Sequence, residues 1–254
     1  VLPNYELEIY FVVDAAVVNR YTAEQTDGDT AKAMDSLNAD IDYFITEIND
    51  LYSSLAVNGF NIQILKKKLD ILDFIIFNDN TDVDPGLKAF DAWLMSTNAY
   101  ANIGYDAAIL WTGFELVSGN DQGVAGYAHV GQICKAANSS GIVEYDMTYL
   151  VSITTAHELG HIIGAGHDSD VTGFIMIPKS SVKEDNRWKF SLCSKEAFQA
   201  SVDKLSTNCL LDSSPESTAQ AVEVTDALAD PNTICRRSEQ DASSYMCRVR
   251  MLIM

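Results

Sequence analysis

The sequence has no apolar run approaching the roughly 18 residues of a membrane span; its strongly apolar stretches are short, such as Ile71 to Phe77. The chain as given therefore reads as carrying no membrane anchor. Basic residues are scarce, 17 Lys and Arg against 36 Asp and Glu, for a formal net charge of −19. Such a field repels phosphate backbones and anionic headgroups, which argues against nucleic acid as a partner and suits a soluble extracellular protein. The excess carboxylates can also hold hard cations such as calcium. Only five prolines occur, and 47% of the 254 residues are hydrophobic, so a disordered or fibrous protein is excluded and a sizeable core is expected. Cys134, Cys193, Cys209, Cys235 and Cys247 form no C-x-x-C pair, which removes zinc ribbons and dithiol redox sites. Disulfides of a secreted protein are the expected use, with one sulfur left over. The chain opens on Val1 without a charged segment leading into an apolar core, so any signal or pro-segment is expected to have been removed or omitted.

Periodicity supplies the elements. Glu6 to Val13 alternates and then turns wholly apolar, as a strand entering a core does. From Thr30 to Ala56, apolar residues such as Met34, Leu37, Ile41, Phe44, Ile48 and Leu55 recur at three- and four-residue steps, predicting a long amphipathic helix ended by Asn58-Gly59. Phe60 to Leu65 and Leu69 to Ile76 read as two strands. After the turn signal Asp82-Val83-Asp84-Pro85-Gly86 comes a helix over Leu87 to Ser96, then a buried strand over Asp106 to Thr112. Val124 to Val130 and Gly141 to Tyr145 read as short strands, and Tyr149 to Ile163 and Lys195 to Leu205 as helices. Strands with intervening helices predict an α/β sandwich on a mixed sheet. Past Asp212 the composition shifts to Ser213-Ser214-Pro215-Glu216-Ser217-Thr218, a linker, which divides the chain into a domain over 1–212 and a short cysteine-containing extension over 213–254. Asn138-Ser139-Ser140 is an N-glycosylation sequon, in keeping with export.

Chemistry concentrates where histidine does. Three of the four histidines lie within eleven positions, in His157-Glu158-Leu159-Gly160-His161-Ile162-Ile163-Gly164-Ala165-Gly166-His167. On a helix, His157 and His161 stand at i and i+4 and project from one face, so both imidazoles reach one metal. Six further helical residues would rotate His167 by roughly 240° and carry it about 9 Å along the axis. The helix must therefore stop, and Gly164 can take the positive φ that turns the chain and returns His167 to the metal. Three imidazoles leave one position for water, the open arrangement of a catalytic zinc site. Glu158, beside the metal without ligating it, is placed to act as general base. A bare HExxH also arises by chance on surface helices; the extended pattern is far more specific. The fourth histidine, His129, has no partner at ligand spacing and reads as an ordinary strand or rim residue.

The run from His157 to His167, with Met176 in Phe174-Ile175-Met176-Ile177-Pro178, resembles the zinc helix and Met-turn of the metzincin proteases. Asp168, directly after the third histidine, is similar to the residue marking the adamalysin or reprolysin branch, which includes snake-venom metalloproteases and the catalytic domains of ADAM and ADAMTS proteins. The resemblance covers most of residues 5 to 212: Glu8 to Tyr21, Glu47 to Tyr52 with Asn61-Ile62, Asp106 to Gly113, Gly126 to Cys134, and Cys209-Leu210-Leu211-Asp212. It implies a five-stranded mixed sheet, a long active-site helix and a Met-turn. It also implies zinc on His157, His161 and His167, catalysis by Glu158, and a buried hydrogen-bonding role for Asp168.

Further implications of the resemblance are finer. Glu8, Asp106, the carbonyl of Cys209 and Asp212 fall where the family binds a structural calcium; solvated surface acids are the blander reading of the three carboxylates. Val124, Ala125, Gly126 and Tyr127 fall on the edge strand along which an extended peptide would add. Ile177 and Pro178 would wall the pocket for the side chain after the scissile bond. Cys134 and Cys209 would pair, leaving two arrangements open: Cys193 stapled to Cys235 or Cys247, or Cys235 bridged to Cys247 with Cys193 a buried thiol. The chain departs from the pattern in having no cysteine between Asp168 and Met176, and no Arg-Gly-Asp to suggest integrin binding. The expectation is a secreted, monomeric zinc endopeptidase acting on extended segments of extracellular proteins, in the manner of a venom or salivary enzyme. The competing class, a binding protein that keeps the zinc site, is disfavoured by the intact Glu158.

Overall fold

A computed structural model describes residues 3–24, 29–169, 173–178 and 186–211. Five strands form the sheet in the order β2-β1-β4-β7-β6, comprising β1 (Asn4–Val13), β2 (Asn61–Ile71), β4 (Ala107–Thr112), β6 (Gly126–Ala128) and β7 (Ser140–Glu144). The first four run parallel, and β6 lies antiparallel to β7 at the edge. A second, two-stranded pairing joins β3 (Thr81–Asp82) to β5 (Leu116–Val117). The mixed five-stranded α/β sandwich expected from the sequence is the fold observed.

Strand alternation sorts the core into two layers. Leu7, Ile9, Phe11 and Val13 of β1, with Ile109 and Trp111 of β4, face helices α2 (Thr30–Ser53) and α5 (Leu150–Ile163). Tyr10 and Val12, with Ala108, Leu110 and Ile142, face α3 (Val83–Ser96) through Leu87, Phe90 and Leu94. Burial on both faces is why β1 and β4 read as continuous apolar runs.

Three of the differences from the sequence reading have a clear physical cause. A helix α1 (Ala15–Glu24) follows β1; it buries only Ala16, Val17 and Tyr21, too narrow a stripe to stand out. The buried Asp14 starts it by accepting the N–H groups of Ala16 and Val17, and also takes the Thr112 hydroxyl. The two strands expected over Phe60 to Ile76 are one strand, β2, running through Lys66-Lys67-Lys68 at the other edge of the sheet. Edge position tolerates the lysines, and each finds an acidic partner. Third, the expected turn at Asp82 to Gly86 is the first turn of α3, with Asp82 accepting from the Asp84 N–H and Pro85 where its missing donor costs nothing. The remaining helices are α4 (Ala99–Ile103) and α6 (Leu192–Val202). Among the described residues, no helix is long and apolar enough to cross a membrane.

Candidate active site

Helix α5 carries the site and is buried nearly all round, held by groups distant in sequence. The Trp111 indole N–H donates to Thr155 Oγ1 at 2.9 Å, and the Tyr52 hydroxyl donates to the Ala156 carbonyl at 3.0 Å. Gly164, at φ 136°, terminates it. The loop after β6 then satisfies its last carbonyls: Gly131 N–H donates to His161 O and Ile133 N–H to Ile162 O. The chain returns with Ala165 beneath the helix end, and His167 arrives from outside the helix, as the spacing required.

His157, His161 and His167 converge so that one nitrogen of each lies within 4.8 Å of the others. His157 Nδ1 donates to the Ile175 carbonyl at 2.7 Å and His161 Nδ1 to the Ala165 carbonyl at 2.8 Å, which leaves each Nε2 as the free ligand atom. His161 Nε2 and His167 Nε2 stand 3.2 Å apart. Burial, then the neighbouring His161, push His157 down to about 4, and burial pushes His161 down as well. The neutral, ligating form is therefore the stable one near pH 7. Three preoriented imidazoles with no carboxylate among them match a zinc donor set.

Glu158 lies beside this cluster, 4% exposed, and its Oε2 has no hydrogen-bond partner. Burial alone pushes the carboxyl up to about 8, a proton affinity suited to taking and passing on a proton near neutral pH. A cation on the histidines would draw it back toward the ionised form. Gly126 of β6 faces it: a Cβ there would meet Glu158 Oε1 at 2.6 Å. The edge strand thus closes over the Glu158 carboxyl only because residue 126 has no side chain.

Met176 is fully buried beneath α5, where a Cβ on Gly160 would meet its Sδ at 2.5 Å. Ile177 is half-buried and Pro178 exposed, immediately after Ile175, whose carbonyl orients His157. Asp168 is buried and accepts the Ser191 hydroxyl at 2.7 Å, tying the third-histidine loop to the start of α6. Of the expected edge residues, Gly126 and Tyr127 lie in β6, while Val124 and Ala125 precede it; Ala125 still accepts the Glu144 N–H. Tyr127 and Val130 are exposed along this edge. His129, on the rim, contacts Asp91 through Nε2 at 2.8 Å and is no part of the histidine cluster.

Away from the cluster, Glu8 in the middle of β1 meets Asp106 just before β4, where Asp106 Oδ2 accepts the Glu8 N–H at 2.9 Å. The turn at Cys209–Leu211 packs against β1, and Asp212 lies outside the described residues. Glu8 Oε2 is 2.8 Å from Lys67 Nζ, so a cation already sits on one of the expected calcium ligands. Cys134 and Cys209 form the expected disulfide. Cys193 is a free, exposed thiol, neither stapled nor buried, and Cys235 and Cys247 lie outside the described residues. Sequence reading missed Trp111, Tyr52 and Lys67, and it placed Gly126 on the edge strand without its close approach to Glu158, since nothing local shows which distant group each will meet.

Known proteins agree with this arrangement. Residues 7–214 match the family described as Reprolysin (M12B) family zinc metalloprotease. The chain is 29% identical over 210 residues to snake venom metalloproteinase Ac1 of Deinagkistrodon acutus, across 81% of this chain and 95% of that one. Its fold is similar to the crystal structure of metalloproteinase-II from Bacteroides fragilis, with a TM-score of 0.56 at 16% identity over 80% of this chain and 55% of that one. With a family match running from β1 past the last described helix and through the three-histidine motif, the chain belongs to the reprolysin family of zinc metalloproteases.

Proposed function

We propose that the protein is a secreted endopeptidase whose reaction is carried by Glu158, with His157, His161 and His167 as zinc ligands. The observation that carries this reading is a buried carboxylate with an unpartnered oxygen beside three converging imidazoles. The chemistry that zinc supplies when bound is Lewis acidity toward water and the scissile carbonyl. Glu158 accepts the proton of the attacking water and hands it to the departing amine; a base at 4% exposure is shielded from competing solvent. An extended peptide pairs with the outer edge of β6 at Gly126 and Tyr127, with Val124 and Ala125 lengthening that edge, because β6 ends the sheet and main-chain pairing there is sequence-tolerant. Ile177 and Pro178 flank the pocket for the side chain after the scissile bond.

Secretion is supported by the Cys134–Cys209 disulfide and by the likeness to a venom enzyme. Extracellular proteins are then the substrates, and the enzyme acts as a monomer. Residues 1–212 form the catalytic domain and 213–254 an extension. The test is digestion of a mixed peptide library by wild type and Glu158→Ala, with cleavage sites read by mass spectrometry and zinc counted per chain. Wild type should cut internal bonds. The variant should retain about one zinc yet lose hydrolysis by several orders of magnitude. Equal cleavage by both proteins would overturn the mechanism.

A further inference from the structure

The run Lys66-Lys67-Lys68 crosses the place where β2 loses register with β1. Ile9 pairs with Lys66 and Tyr10 with Lys68, so Lys67 is the extra residue of a β-bulge. A bulge re-aims a side chain, and here it separates the fates of three identical residues. Lys66 pairs with Asp42 and Lys68 with Asp70, with side chains from one quarter to nearly one half exposed. Lys67 alone is taken in: its side chain is 12% exposed and that of its partner Glu8 is 10%. Both charges carry a desolvation cost that only close pairing offsets, and 2.8 Å is close pairing.

Glu8 stands next to the buried Asp106, on the strand against which the Cys209–Leu211 turn packs. This is the place where the resemblance implies calcium. Calcium needs six to eight oxygen ligands at about 2.3–2.6 Å, and an ammonium at 2.8 Å from Glu8 Oε2 both engages one of those oxygens and repels a second cation. We infer that Lys67 is a built-in cation: its ammonium supplies the positive charge that calcium would bring to Glu8, and the protein is stable without calcium. Of the expected calcium ligands, Glu8 is thus already held by a cation of the chain itself.

The test uses the full-length, zinc-loaded protein. Melting is followed in calcium-free buffer and with calcium up to about 5 mM, above the Kd range of extracellular calcium modules, alongside calorimetric calcium titration. Wild type should melt at the same temperature throughout and give no binding heat. Lys67→Met keeps most of the apolar stem but removes the ammonium that stands 2.8 Å from the buried Glu8 carboxylate. It should melt roughly 10 °C lower without calcium and recover part of that loss with calcium, which now binds only the folded state. Lys67→Arg should behave as wild type. Glu8→Gln/Lys67→Met should regain stability without gaining a calcium response, which also decides the matter if the single variant does not fold. Saturable binding of one calcium by wild type would overturn the inference, as would a Lys67→Met variant that melts like wild type, or a double variant no more stable than the single one.

Discussion

Replacing Glu158 with glutamine should separate catalysis from stability, because the structure makes this carboxylate a liability to the fold. Glutamine copies the shape of the protonated acid and cannot ionise. Burial raises Glu158 from 4.5 to about 8. Below pH 4.5 both folded and unfolded states hold the proton, and ionisation has no effect on stability. Between 4.5 and 8 the unfolded chain releases a proton that the folded protein keeps, so stability falls with rising pH by about 1.4 kcal/mol per unit. At pH 7 the accumulated loss is about 3 kcal/mol, approaching 5 kcal/mol above pH 8. Metal-free Glu158→Gln should therefore match metal-free wild type near pH 4.5 and melt about 6–12 °C higher at pH 7, on the usual 2–4 °C per kcal/mol for a domain of this size. Zinc should shrink the gap, since its charge favours the carboxylate. Differential scanning calorimetry of chelated and zinc-loaded protein across this range is the assay, with peptide hydrolysis on the same samples. A gap independent of pH, or none at pH 7, would refute the assignment of Glu158 as a buried base whose ionisation costs the fold stability.

Gly126→Ala should lower kcat about 100-fold with little change in KM, because the new methyl group must displace Glu158 while the strand backbone remains; unchanged turnover would show that the close approach is irrelevant. Removing the disulfide with Cys134→Ser/Cys209→Ser, across a sequence separation of 75, should cost about 4 kcal/mol in chemical denaturation. Chelation should abolish peptide hydrolysis and stoichiometric zinc restore it, activity in metal-free protein pointing to other machinery. Acid should act in the sense opposite to Glu158. His157 and His161 have folded values below those of the unfolded chain, so their contribution is intact above about 6.5 and is lost as pH falls toward about 4. Tryptophan fluorescence of metal-free Glu158→Gln should show that acid-side loss without the alkaline one.

The histidine constellation was legible in the sequence because its geometry is local. An i, i+4 pair shares a helix face wherever the helix lies, and Gly164 dictates where the helix stops. The long amphipathic α2 and the apolar β1 and β4 were equally legible, since one strong periodicity decides each. Tertiary structure decided what depends on a distant partner. Helix α1 has too little apolar surface to announce itself and exists because Asp14 caps it while bonded to Thr112, 98 residues away. Lys66-Lys67-Lys68 looks like a strand break until β1 supplies the neighbour that pairs, bulges and buries the middle lysine. Gly126 reads from the sequence only as an edge-strand residue; β7 seats that strand against α5 and leaves no room for a Cβ beside Glu158. Sequence determined which groups can hold the metal; packing determined how α5 is clamped by Trp111 and Tyr52, how Glu158 is buried, and which charge stands beside Glu8. Periodicity is a property of neighbours in the chain, whereas desolvation and close contact belong only to neighbours in space.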